Sequence, residues 1–226
     1  MLIAAHDLPE RDRHLDQLGT SWSILERAIR RGEAGWRNVT KDHGEDAPAQ
    51  YAYRERLAAL RSGQKVHHGW NNARLLQIEL TINPERTIAI QTLTGNHRTG
   101  VPDATPRTRN PRGPNGRLLL SHGEEHEQPS LFPELVPHPA AAPDTEELSD
   151  LADVMVWILL VHREANGQDG TVLWQSELSL PHPPDTRGHI TGWHQRITLP
   201  PVTFGPVILP SDEEGPKDID IQVDVR

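Results

Sequence analysis

Apolar residues in the first third of the chain recur at steps of three and four. Leu15, Leu18, Trp22, Leu25 and Ile29 fall on one stripe, the spacing of helices that bury a single face. Gly19 interrupts the stripe and Thr20 or Ser21 suits a fresh cap. The pattern predicts a short helix near 10–18 and a longer one near 21–31, stopped at Gly32. A third helix is predicted over about 48–61. Pro48 suits its first turn, Tyr53, Leu57 and Leu60 share a face, and Gly63 reads as its stop.

The period then changes. From Arg74 to Ile82 the chain alternates, with Leu76, Ile78, Leu80 and Ile82 on one side and Gln77, Glu79 and Thr81 on the other. After Asn83-Pro84-Glu85-Arg86, a sequence suited to a type I turn, a second run starts at Thr87 with Ile88 and Ile90 on one face. This is a β-hairpin. Val154 to His162 is nearly all apolar and reads as a buried strand, entered from a helix over about 145–152. Asn166–Gly170 is a turn, and strands are predicted at Thr171–Leu180, Ile190–Leu199 and Ile219–Val225. In the last of these, Asp218, Asp220 and Asp224 share a face, the pattern of an acidic edge that discourages sheet-to-sheet pairing.

Between these periodic parts, residues 95–147 show no periodicity and hold nine prolines. A stretch of this length is a functional excursion or a linker. The fold expected is therefore α+β, with N-terminal helices packed on an antiparallel sheet and a long Pro/Arg-rich central excursion. The chain divides into a helical segment (1–66), a hairpin of the main sheet (67–95), an irregular excursion that is arginine-rich and then acidic (96–147), and the remaining strands (148–226).

Composition narrows the function classes. The formal charge of −9 over 226 residues argues against a general nucleic-acid coat or a membrane-surface binder. The absence of cysteine removes thiol catalysis, disulfides and thiolate metal sites. The longest apolar run, Val154–Val161, falls well short of the roughly 18 residues a membrane span needs. A cytoplasmic protein with no membrane partner is expected. Glycine-rich phosphate loops, a Gly-x-Ser-x-Gly elbow and a His-Glu-x-x-His helix are missing, and nothing in the sequence calls for a cofactor.

Three groups of residues carry candidate chemistry. Among 13 histidines, His122 and His126 are four apart and His67 and His68 adjoin the hairpin; these are weak metal candidates, because Gly123 and Pro129 disfavour a helix around the first pair. Glu79, near Gln77 and Gln91, is a candidate acid on the polar face of the hairpin. More specific is the run from Asn96 to Arg117, where Arg98, Arg107, Arg109, Arg112 and Arg117 stand against a single acid, Asp103. Arginine grips phosphate and carboxylate with two prongs. These five either contact nucleic acid or an acidic partner, or pair with the chain's own acids.

Gln128-Pro-Ser-Leu131-Phe132 resembles the short peptide with which many bacterial DNA-processing proteins plug into the replication sliding clamp, with Pro129 where leucine is usual. That resemblance implies Gln128, Leu131 and Phe132 as partner-binding residues. The other reading is that Leu131 and Phe132, with Leu135 and Val136, tack the excursion onto the protein's own sheet. The function expected is a non-enzymatic binding or accessory protein of bacterial or mobile-element DNA metabolism, acting through the arginine-rich loop. A metal-dependent hydrolase or nuclease using histidine and glutamate is the alternative, and a structural or assembly protein is a third.

Overall fold

Two of the glycines that read as helix stops are contact points between helices. The computed structural model describes residues 1–121, 154–166 and 168–206. In it α1 spans Leu8–Gln17, α2 Trp22–Arg37 and α3 Ala47–His68. Gly32 and Gly63 therefore lie inside helices rather than ending them. A Cβ on Gly63 would come within 2.8 Å of Ile24, and one on Gly32 within 3.2 Å of the Ala52 carbonyl. Their lack of a side chain lets α2 and α3 approach closely, which offsets glycine's poor helix propensity of about 1 kcal/mol. The actual stop of α3 is Gly69, left-handed at φ +69°, whose N–H reaches back to the Lys65 carbonyl.

The hairpin predicted from Arg74 onward is two hairpins. Strand β2 (Asn71–Leu75) turns at Leu76-Gln77 into β3 (Ile78–Ile82), which turns again into β4 (Ile88–Thr94). Leu76 was expected to continue the apolar face of a strand. Instead it occupies the turn at φ +49°, and Gln77 follows at φ +64°. The second turn is as predicted. The Asn83 carbonyl accepts the Arg86 N–H, and the Asn83 side chain accepts the N–H groups of Thr87 and Ile88.

Strands β5 (Met155–Ala165), β6 (Val172–Pro181) and β7 (Trp193–Phe204) complete the sheet, together with a two-residue β1 (Leu2–Ile3). The order is β1-β7-β6-β5-β4-β3-β2. The fold is α+β as expected, and the sheet is mixed: β1–β7 and β4–β5 run parallel, the other pairs antiparallel. A parallel pair cannot be joined by a tight turn. The proline-rich excursion is thus the crossover from β4 to β5. It also contains a helix that periodicity did not reveal, α4 (Pro114–Ser121), opened by Pro114 and carrying the three-leucine run Leu118–Leu120.

Both faces of the sheet are covered. On one, Ile90, Trp157, Leu159, Trp174, Leu178 and Ile197 pack against Leu15, Leu25, Ile29 and Leu60 of α1–α3. On the other, Leu80, Ile82, Ala89, Ile158 and Leu160 pack against Leu119 and Leu120 of α4 and Ile190. Burial on both sides explains why β5 is apolar without alternation. No helix among the described residues is long and apolar enough to cross a membrane.

Candidate functional site

At the C-terminal end of β4 a cleft of about 470 Å³ opens between α3 and the crossover. Asp46, Ala49, Gln50, Tyr53 and Arg54 line it from the start of α3, Thr92, Leu93 and Thr94 from β4, and Thr108, Asn110 and Arg112 from the crossover. The crossover wall is tied down by its backbone. The Thr94 carbonyl accepts the Arg109 N–H at 2.8 Å, and Asn96 N–H donates to the Arg107 carbonyl at 3.1 Å. Thr108 N–H donates to the Ile190 carbonyl, and Arg112 N–H to the Gly188 carbonyl at 2.6 Å. Residues 96–112 of that stretch are thus held between the end of β4 and a turn over 185–192, itself fastened by Asp185 accepting the N–H groups of Arg187 and His189.

The cleft is cationic. Arg112 is half-buried, and its side chain lies over Gly116, where a Cβ would fall 2.9 Å from its Nε. That Nε is shut off from water without a hydrogen-bond partner among the described residues. Burial draws the Arg112 pKa below the usual arginine range, partly opposed by Tyr53. Arg54 stands exposed at the rim. Beneath the floor, Arg56 is only 2 % exposed. Its Nε donates to the Thr92 hydroxyl at 2.6 Å, and its guanidinium sits 5.6 Å from the Trp174 ring. Burial pulls its pKa down to about 10, so at neutral pH it remains a buried cation, with no ion-pair partner among the described residues.

Tyr53 is the neutral member of the cleft. Burial and then the nearby Glu79 push its pKa above the usual value, against the pull of Arg61, Arg56 and Arg112. Its hydroxyl therefore keeps its proton at neutral pH and can donate. The carboxylate in the lining, Asp46, is engaged by the Gln50 side chain. Next to the cleft, burial depresses the His162 pKa, with His97 and Arg109 adding to the effect against Gly95 and Glu164; a second cluster of basic groups therefore flanks the end of β5.

The five loop arginines divide. Arg98, Arg107, Arg109 and Arg117 are exposed, and Arg112 lines the cleft. None forms an ion pair with a described residue. His67 and His68 lie exposed in the last turn of α3, where cations favour the negative end of the helix dipole. Glu79 is not free on a polar face: it faces α3, where Arg61 contacts it at 2.5 Å and Arg74 lies 3.7 Å away. Gln77 sits in a turn, and Gln91, one residue from Thr92, points to the opposite face of the sheet from it. Among the described residues, no group of three or more His, Asp and Glu converges to hold a metal ion. His122, His126, Gln128, Leu131, Phe132 and the strand predicted at 219–225 lie outside the described residues.

Sequence reasoning missed Arg54, Arg56 and Asn110, and placed Tyr53 only as a core residue of α3. One signal was present: Arg56 directly precedes Leu57 on the helix face assigned to the core. Compared with models of protein families, with curated proteins and with solved structures, the chain matches none.

Proposed function

We propose that this chain is a non-enzymatic binding protein that grips an anionic partner through its arginine-rich crossover, with nucleic acid in bacterial or mobile-element DNA metabolism as that partner. One observation carries the reading. The crossover backbone is bolted to the sheet while its guanidinium groups project without carboxylate partners among the described residues. Held in place in this way, Arg98, Arg107, Arg109 and Arg117 lose little freedom on meeting phosphates, which favours binding. Their charge is local in a chain that is acidic overall, and this suits contact by one face rather than general coating. The alternative of a metal-dependent hydrolase draws less support, because Arg61 already engages Glu79 and His67 and His68 stand apart from it at the exposed end of α3.

The test is fluorescence anisotropy with single- and double-stranded oligonucleotides over a range of salt. Affinity should fall steeply with salt, and changing Arg98, Arg107 and Arg109 together to Gln should flatten the slope by about two to three, at roughly 0.7–0.9 per lost phosphate contact. Circular dichroism should show the variant folded. Failure to bind either oligonucleotide at low salt would remove the reading. The clamp-like peptide offers a protein partner for the same role. A peptide covering 125–137 should bind a bacterial sliding clamp with only about micromolar affinity, since it must be ordered on binding, and Leu131→Ala with Phe132→Ala should abolish that binding.

A further inference from the structure

We propose that the cleft between α3 and the crossover binds a phosphomonoester, with Arg112 and Arg54 as cationic contacts and the Tyr53 hydroxyl as a neutral donor. This narrows the anion-binding reading to one place and one ligand class, and rests on it for the sign of the ligand's charge.

The argument begins with Arg56. A cation buried beneath Thr92, contacting a hydroxyl and an aromatic ring but no described carboxylate, carries a desolvation cost that one neutral hydrogen bond offsets only in part. Its field extends into the cleft through a low-dielectric layer. Arg112 adds a second cation on the wall, with its Nε unpaired among the described residues. An anion in the cleft would lie in the field of both and offset their charge. The donors around it include two guanidinium groups, a phenol and the exposed Thr94. Together they offer more hydrogen bonds than the roughly four that a carboxylate accepts, and they suit the three oxygens and near-double charge of a phosphomonoester. The volume of about 470 Å³ falls in the range of organic ligand sites, about 300–1,000 Å³, and exceeds what bare phosphate would fill. Ala49 and Leu93 give the organic part an apolar wall.

Such a group belongs either to a free nucleotide or sugar phosphate, or to the phosphorylated end of a strand. Calorimetry on the full chain would compare thymidine 5′-monophosphate, thymidine, and a short oligonucleotide with either a 5′-phosphate or a 5′-hydroxyl. One of the phosphorylated probes should bind at least about tenfold tighter than its counterpart lacking phosphate, as expected where charge-assisted hydrogen bonds are made. Preference for the monophosphate marks a free ligand, and preference for the 5′-phosphorylated strand marks a strand end. Arg112→Gln should cut that preference for the phosphorylated probe by about tenfold, and Arg98→Gln with Arg107→Gln should leave the preference unchanged while lowering general DNA affinity. If Arg112→Gln fails to fold, Tyr53→Phe carries the test with a loss of roughly threefold to tenfold. Equal binding with and without phosphate, no binding by either phosphorylated probe, or loss only in the Arg98/Arg107 variant would overturn the proposal. DNA binding that survives with no phosphate preference would leave the broader reading standing and remove this one.

Discussion

The Glu177 carboxylate lies 2.6 Å from the Arg196 guanidinium across β6 and β7, and both residues are buried. Each also holds the crossover: Gly100 N–H donates to Glu177 at 2.9 Å, and Arg196 donates to the Ala104 carbonyl at 2.7 Å and the Val101 carbonyl at 3.1 Å. One ion pair thus fastens the turn between Arg98 and the exposed Arg107 and Arg109. Removing one partner strands the other charge, so Glu177→Gln should cost about 3–5 kcal/mol in urea unfolding and speed hydrogen exchange at the Gly100 amide. A loss below about 1 kcal/mol, the scale of exposed pairs, would show that the crossover is held by its other contacts.

A second buried carboxylate, Glu33, should make the fold's stability depend on pH in acid. Burial alone would raise the Glu33 pKa, but hydrogen bonds from Arg163 (2.8 Å), Arg37 (2.6 Å) and the Trp174 indole (2.7 Å) outweigh it and hold the carboxyl below its ordinary value of 4.5. A lowered folded-state pKa contributes stability that is present above 4.5 and is lost as pH falls through the lower folded value. The gap in urea midpoint between the native chain and Glu33→Gln should therefore be wide at neutral pH and shrink below pH 4.5. A gap that does not change with pH would mean another group sets the acid limit.

Helix contact rather than helix propensity should govern Gly35. A Cβ there would meet the Tyr51 carbonyl at 2.7 Å, a backbone atom that cannot swing aside. Overpacking of this kind costs about 1–3 kcal/mol, against the roughly 1 kcal/mol alanine gains in a helix. Gly35→Ala should be destabilising in thermal melts, whereas Gly32→Ala, with 3.2 Å available, should be close to neutral. A Gly35→Ala chain melting higher than the native one would contradict the close approach of α2 and α3.

The turn at Leu76-Gln77 should separate strain from burial. Both residues are left-handed, which costs a non-glycine residue about 1–2 kcal/mol, but Gln77 is exposed while Leu76 is buried, and the Leu76 carbonyl is held by Asn115 at 3.0 Å. Gln77→Gly should stabilise by about 0.5–1 kcal/mol, part of the relief being cancelled by glycine's greater freedom when unfolded. Leu76→Gly should instead destabilise by about 2–4 kcal/mol through the lost core contact. The two midpoints, measured by the same denaturation, should move in opposite directions.

Taken alone, the order of residues determined the three N-terminal helices, most of the longer strands and where chemistry could gather, but not α4, β1 or the turn at Leu76-Gln77. Period two marked β3 and β4 because one residue in two faces each layer, and the unbroken apolar run of β5 marked a strand covered on both sides. The arginine run was visible because local charge density needs no fold to be counted. The tertiary structure decided the rest. Gly32 and Gly63 looked like stops because propensity is local, while their use as contact points depends on the helix lying against them. The crossover looked formless because its hydrogen bonds go to residues distant in sequence, such as Gly188 and Ile190. Arg56 drew no notice in the sequence, because its partners Thr92 and Trp174 lie far along the chain and only the fold places them beside it. A cleft is made where separate elements meet, and the free energy that closes it over a buried cation is a sum of long-range contacts that no short window of sequence contains.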